Sequence, residues 1–249
     1  MVITPVLALI LGVDLHYAMG ATLVSVIATS SGAASAYVRE GFSNIRIGMF
    51  LEIATASGAI VGAHFSSRAP ASALATILGF VLLYSALQSL LPEPVLETDA
   101  HHDPLAGRLR LYGAFPTFNG LREYRAQNVK AGFTLMFGAG VLSGLLGIGS
   151  GAFKVIAMEK VMRIPFKVST ATSNFMIGVT AAASATIYLK RGYIDPGLAM
   201  PVMLGVVLGS LMGARQLAGA RTRILKQVFA GVVIVLAIEM IYSGLTGKL

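Results

Sequence analysis

The chain has 249 residues, 55% of them hydrophobic and only 12% charged, with a mean hydropathy of +0.77. The charge fraction is about half that of ordinary globular domains, which excludes a conventional soluble enzyme. The formal charge is +8, but the basic residues lie between apolar runs, so the excess reads as membrane topology and not as a nucleic-acid surface; cysteine is absent, which excludes disulfides and thiol chemistry.

A short apolar start, Val2–Gly12, precedes expected spans near 17–38, 44–66 and 70–91. Runs of about 18 apolar residues or more are long enough to cross a hydrocarbon layer of roughly 30 Å. Backbone groups at that depth must bond internally, and the runs lack the period-two alternation of barrel strands, so the spans are helices. A polar stretch, 92–129, follows with Pro92, Pro94, Pro104 and several Arg; it reads as a solvated linker. His101-His102-Asp103 within it has no further ligands nearby and is not expected to hold a metal. After the linker come 131–147, a short segment 151–162, and spans near 166–189, 196–215 and 224–245. Without tryptophan, interface anchoring falls to Tyr, Lys and Arg.

Sliding the chain against itself by 151 residues places Tyr37-Val38-Arg39-Glu40-Gly41-Phe42 on Tyr188-Leu189-Lys190-Arg191-Gly192-Tyr193. Gly58, Gly62 and Ala63 fall on Gly209, Gly213 and Ala214, and Gln88 on Glu239. A turn of tyrosine, basic residue, glycine and aromatic is not a by-product of hydrophobicity, so the register points to an internal repeat. Met1 falls on Ala152 in this register, so the first half is expected to lack its first helix and the glycine-rich loop after it. If 131–162 forms a hairpin that returns to its starting side, fourteen of the 19 Lys and Arg gather on one side, four lie on the other, and Lys154 stays inside. A single crossing would divide them almost evenly. The hairpin therefore puts the linker in the cytoplasm and gives the halves inverted topology. The expected fold is an all-α polytopic membrane protein of two inverted repeats, 1–91 and 130–249, joined by 92–129.

Several segments carry candidate chemistry. Gly144-Leu145-Leu146-Gly147-Ile148-Gly149-Ser150-Gly151 lies between a helix and one too short to span. Glycines at this spacing expose backbone N–H groups, and a helix start adds a partial positive charge, which suits an anion. The same glycines equally suit close helix packing. Ala171-Thr172-Ser173-Asn174 falls in register on Gly20-Ala21-Thr22-Leu23, and its hydroxyls and amide could coordinate a polar solute or bond neighbouring helices. Ionisable groups inside spans are few: Glu52, Lys154 and Glu239, with His64 and Glu159 near the ends. A charge at bilayer depth faces a cavity or a partner. Glu52 therefore reads as a proton-linked gate or as one half of an ion pair. Lys154 either faces an anion or snorkels outward, and Glu239 is a satisfied polar group. No nucleophile–His–carboxylate set, Walker loop or HExxH occurs.

Together these segments resemble the sulfite exporter TauE/SafE family over nearly the whole chain outside the linker. The resemblance rests on Gly144–Gly151, Val168–Phe175 and Gly205–Gly213 in the second half, and on Ala18–Thr22, Tyr37–Phe42 and Gly48–Glu52 leading to Gly58 and Gly62 in the first. Ser150 stands where the family's loop usually has glycine. The resemblance implies a secondary transporter in a bacterial-type plasma membrane that moves a small sulfur-containing anion such as sulfite or sulfoacetate. The expected substrate contacts are Gly147, Gly149, Ser150 and Gly151, with Thr172, Ser173, Asn174, Ala21, Thr22 and Lys154 assisting and Glu52 gating. No cofactor, metal or nucleic acid is called for; the partners are the bilayer and the anion, with a homo-oligomer left open. A non-transporting membrane scaffold is the alternative.

Overall fold

The computed structural model describes residues 2–39, 42–90, 103–117, 120–217 and 222–247, and is mostly helical. In chain order the elements are α1 (Ile3–Leu9), α2 (Leu15–Arg39), α3 (Ile45–Ser66), α4 (Ala71–Leu90), α5 (Pro104–Arg108), β1 (Tyr112–Thr117), β2 (Gly120–Arg125), α6 (Val129–Leu146), α7 (Gly151–Ile156), a π-helical turn (Ala157–Val161), α8 (Phe166–Lys190), α9 (Pro196–Leu217) and α10 (Thr222–Thr246). Among the described residues α3, α4, α6 and Gln227–Thr246 of α10 are long and apolar enough to cross a membrane. Glu40 and Gly41 of the first tyrosine turn, and His101 and His102, lie outside the described residues.

Local chemistry sets the helix ends. The Asn44 carboxamide oxygen accepts the Ile47 N–H at 3.1 Å and caps α3. Gly147, at φ 64°, closes α6 in the left-handed conformation. Pro165 precedes α8 and Pro196 opens α9, where a missing N–H costs nothing. Helix starts recur at one spacing: α2 and α8 begin 151 residues apart, as do α3 and α9. α2 packs on α8 and α4 on α10, while α3 touches α8 as α9 touches α2.

The segment 151–162 returns to the level at which α6 began. The Gln127 N–H bonds the Met162 carbonyl at 2.9 Å, and the Asn128 side-chain amide bonds the Val161 carbonyl at 3.2 Å. α6 lies along α3 with its glycines against backbone: a Cβ at Gly140 would strike the Thr55 backbone and one at Gly144 the Ala59 backbone, and the reverse holds for Gly58 and Gly62 against Phe137 and Val141.

The linker differs from the solvated loop expected of it. Its described part holds α5 and an antiparallel β1–β2 hairpin in which Tyr112 pairs Arg125 and Thr117 pairs Gly120. Asp103 fastens this module: one carboxylate oxygen accepts the Leu105 N–H and the other the Val129 N–H, both at 2.8 Å, so one side chain starts α5 and α6 together. Ala106, Leu111, Phe115 and Ala126 bury their side chains against Ile47 and Leu51 of α3, Met136 of α6 and Val168 of α8. The linker is thus a folded cap over one end of the helices, held by apolar burial of the kind that stabilises any small domain. The chain is mostly helical, as expected, with one short hairpin in the linker.

Candidate functional site

α8 carries a line of hydroxyls on its buried side. Ser169, Ser173, Thr180, Ser184 and Tyr188 are all buried and recur at intervals of four or seven residues, which is one face of a helix. From Ser169 to Tyr188 this line runs about 28 Å at roughly 1.5 Å per residue, nearly the thickness of a hydrocarbon layer. Ser184 and Ser169 direct their protons to the carbonyls of Thr180 and Ile164, and Thr180 has the Met176 carbonyl as one of its two acceptors. Their oxygen lone pairs stay on the inner face.

Midway along the line lies the most concentrated polar cluster of the interior. Glu52 on α3 is 4% exposed and Lys154 on α7 is 0% exposed. The Lys154 ammonium stands 3.8 Å from Glu52 Oε2 and donates a hydrogen bond to Thr180 Oγ1. Thr180 Oγ1 lies 2.7 Å from Glu52 Oε1, and Thr55 donates to Glu52 Oε2 at 2.8 Å. Lys154 therefore neither snorkels nor stands free: it is the counter-charge of Glu52. Two opposite charges at this depth are tolerable because each has the other as partner, Glu52 with two hydroxyls besides and Lys154 with one.

The other expected residues divide among several places. Gly147, Gly149 and Ser150 have positive φ of 64°, 74° and 41°, so the loop doubles back between α6 and α7. The loop is tightly packed: Gly147 abuts Met19 of α2, and Gly149 and Gly151 abut Ile177 of α8. Ser150 is fully buried and its hydroxyl has no hydrogen-bond partner among the described residues. Ser173 Oγ donates to the Gly151 carbonyl at 3.3 Å, which brings the loop and α8 together. Thr172 is otherwise engaged: its Oγ1 accepts the Asn44 N–H at 3.1 Å and so ties α8 to the start of α3. Asn174 is half-buried and makes no hydrogen bond to a described residue. Ala21 and Thr22 lie apart from the loop. Ala21 packs with Leu7, Ala18 and Ala199, and Thr22 Oγ1 meets Thr4 Oγ1 at 2.9 Å. Glu239 is exposed on the outer face of α10, away from the cluster.

Several residues that sequence reasoning passed over complete the picture. Thr55 and Thr180 are the hydroxyls on Glu52; Thr180 was legible as the next residue after Ser173 on the same helical face. Tyr188, noted only as part of a turn, is fully buried and bonds Ser66 Oγ at 2.8 Å while donating toward the Gly144 carbonyl at 3.2 Å. At the linker end the Asn44 amide donates to Tyr124 Oη at 2.8 Å, so the residue that caps α3 also grips the hairpin. Burial pushes the Tyr124 phenol above its ordinary pKa of 10.0. The Val129 N–H holds the Asp103 carboxyl below its ordinary 3.8. Among the described residues no group of three or more His, Asp and Glu is placed to hold a metal.

A sequence profile described as sulfite exporter TauE/SafE matches residues 1–240. The chain belongs to this family. Among curated proteins, the TauE/SafE chain is 24% identical over 228 residues to the "Probable membrane transporter protein YunE" of Bacillus subtilis (strain 168), covering 92% of this chain and 81% of that one. It is 26% identical over 209 residues to the "Probable membrane transporter protein YdhB" of the same organism, covering 84% and 78%. It is 23% identical over 233 residues to the "Probable membrane transporter protein ORF9" of Sinorhizobium sp, covering 94% and 81%. No solved structure matches the chain significantly. Family and helices together make this TauE/SafE protein a multi-pass membrane transporter.

Proposed function

We propose that the protein is a secondary transporter of a small sulfur-containing anion, such as sulfite or a sulfonate, across the plasma membrane. The observation that carries this reading is a buried positive charge, Lys154, at the midpoint of a hydroxyl line that runs the length of α8. Inside a bilayer an ionisable side chain marks a solute path more often than a structural need. The loop Gly147–Gly151 borders the same path, with its turned backbone and the unpartnered Ser150 hydroxyl as donors suited to an oxyanion. Ser173 joins loop to path, whereas Thr172, Ala21 and Thr22 support the helices beside it. The recurrence of helix starts at 151 residues, α2 with α8 and α3 with α9, supports two halves of inverted topology, with Glu52 as the gate where they meet and the folded linker in the cytoplasm. Purified protein in sealed vesicles should pass labelled sulfite or methanesulfonate down an imposed gradient faster than empty vesicles, and Lys154→Met should abolish that excess. Equal rates with and without protein, for both anions, would refute the reading.

A further inference from the structure

The geometry points to a one-for-one exchange of charge at Lys154: the transported monoanion replaces the Glu52 carboxylate as the lysine's counter-ion, and Glu52 takes up one proton as it is replaced. Each monoanion then crosses with one proton, and transport is electrically silent. This inference rests on the transport reading above and specifies its coupling.

Charge balance gives the first reason. At rest the ammonium and the carboxylate, 3.8 Å apart, neutralise one another in a site nearly closed to water. An arriving anion would leave one negative charge in excess, which a low-dielectric interior disfavours strongly. Protonating Glu52 restores neutrality, and among the described residues Glu52 is the carboxylate that stands beside Lys154. α6 carries only Lys130, in its first turn, and α8 only Lys167, Tyr188 and Lys190, near its ends. Arg46 and His64 lie in the end turns of α3, and Glu159 and Lys160 lie in the π turn beyond Lys154.

The hydroxyls supply the second reason. A threonine hydroxyl has one proton to give, and Thr180 faces two acceptors: Glu52 Oε1 at 2.7 Å and the Met176 carbonyl at 2.9 Å. While Glu52 is ionised, Thr180 donates to it. Once Glu52 is protonated, the carboxyl O–H donates to Thr180 Oγ1, and the threonine proton turns to Met176. Thr55 has the same freedom, with Glu52 Oε2 at 2.8 Å and the carbonyls of Leu51 and Glu52 at 3.3 Å. Both protonation states of the buried carboxyl are therefore fully hydrogen-bonded, and the change needs only two hydroxyl rotations. A purely structural ion pair has no need of donors that serve its neutral form. Thr180 is thus a positioning residue that acts through Glu52. The proton arrives from water and leaves to water; no bond other than O–H forms or breaks.

The test uses the whole chain in vesicles, with membrane voltage clamped and labelled methanesulfonate as a probe that stays a monoanion throughout the pH range. A proton gradient directed with the anion should speed wild-type uptake several-fold, a change of voltage alone should not, and a trapped pH dye should report one proton per anion. Glu52→Gln should lose the response to the proton gradient and the proton signal of the trapped dye. Thr180→Val should weaken that response, and Thr180→Ser, which keeps the hydroxyl, should restore it. Wild-type uptake that ignores the proton gradient, a proton-to-anion ratio of zero, or a Glu52→Gln protein that still follows the gradient overturns the coupling and leaves the transport reading intact. No uptake by the wild type of either methanesulfonate or sulfite overturns both. The dye measurement needs no variant, so a misfolded substitution does not decide the outcome.

Discussion

Gly144→Ala is the sharpest test of the packing that holds the site in place. A Cβ there would stand 2.7 Å from the Ala59 carbonyl carbon and 2.8 Å from the Ala63 nitrogen, and nearer still to the Ala59 carbonyl oxygen. All three are backbone atoms of α3, so no side-chain rotation relieves the contact and the two helices must separate. An opening of 0.5–1 Å forfeits about a quarter to a half of each dispersion contact, at about 0.1–0.2 kcal/mol per atom pair. With a few tens of pairs along two helices that touch through Gly58, Gly62, Gly140 and Gly144, the loss is about 1–3 kcal/mol, the usual range for overpacking. Gly209→Ala is the control. No atom of a described residue lies within 4 Å of a Cβ at that position, and alanine there should gain up to about 1 kcal/mol of helix propensity. Thermal melts of detergent-purified protein should place Gly144→Ala several degrees below wild type and Gly209→Ala at or above it. If the two variants melted together, close glycine packing between α3 and α6 would not be what holds them.

Lys154→Met leaves the Glu52 carboxylate buried without its counter-charge and should cost about 3–5 kcal/mol in the same melts, most of which the double variant with Glu52→Gln should recover. Tyr188→Phe removes the partner of the buried Ser66 hydroxyl and should lower stability by about 1–3 kcal/mol, the cost of an unsatisfied polar group; an unchanged melt would deny that bond any weight. The Asp103 carboxyl, held below 3.8 by the Val129 N–H, stabilises the linker fully above the ordinary value and loses that effect as pH falls through its lowered value. Acid-protease cleavage between residues 103 and 126 should therefore stay slow at pH 4 and rise steeply at lower pH. Asp103→Asn should cleave readily at both.

The spans were legible because long apolar runs with proline and asparagine at their ends leave little choice at bilayer depth: 44–66 became Ile45–Ser66, and 166–189 became Phe166–Lys190. The hairpin was not legible. Its strands are six residues each and interrupted by Gly113 and Pro116, so the alternation is too short to rise above a turn-rich background. Glu52 and Lys154 were each recognised as costly charges, but their union depends on how α3 and α7 converge on α8, which no local pattern encodes. Thr172 shows the limit from the other direction. Its hydroxyl looked like a solute ligand, and only the fold reveals that its oxygen also accepts the Asn44 N–H and ties α8 to α3. Thr180 could have been found, since the hydroxyl spacing along α8 is a helical period of polar residues where an apolar face was expected.

The π turn Ala157–Val161 has a consequence for how this sequence tolerates change. A π turn holds one residue more than the α-helical turn it replaces, and Lys154 lies just before it. Deleting one residue from 157–161 would let the segment wind as regular α-helix while the residues on either side keep their phase, because the turn already absorbs that residue. Lys154 would go on facing Glu52. The same deletion in the middle of α8 would rotate everything on one side of it by about 100° and take Thr180 out of line with its partners. In an insertion–deletion scan this short stretch should therefore tolerate the loss of one residue that the regular helices packed against it would not.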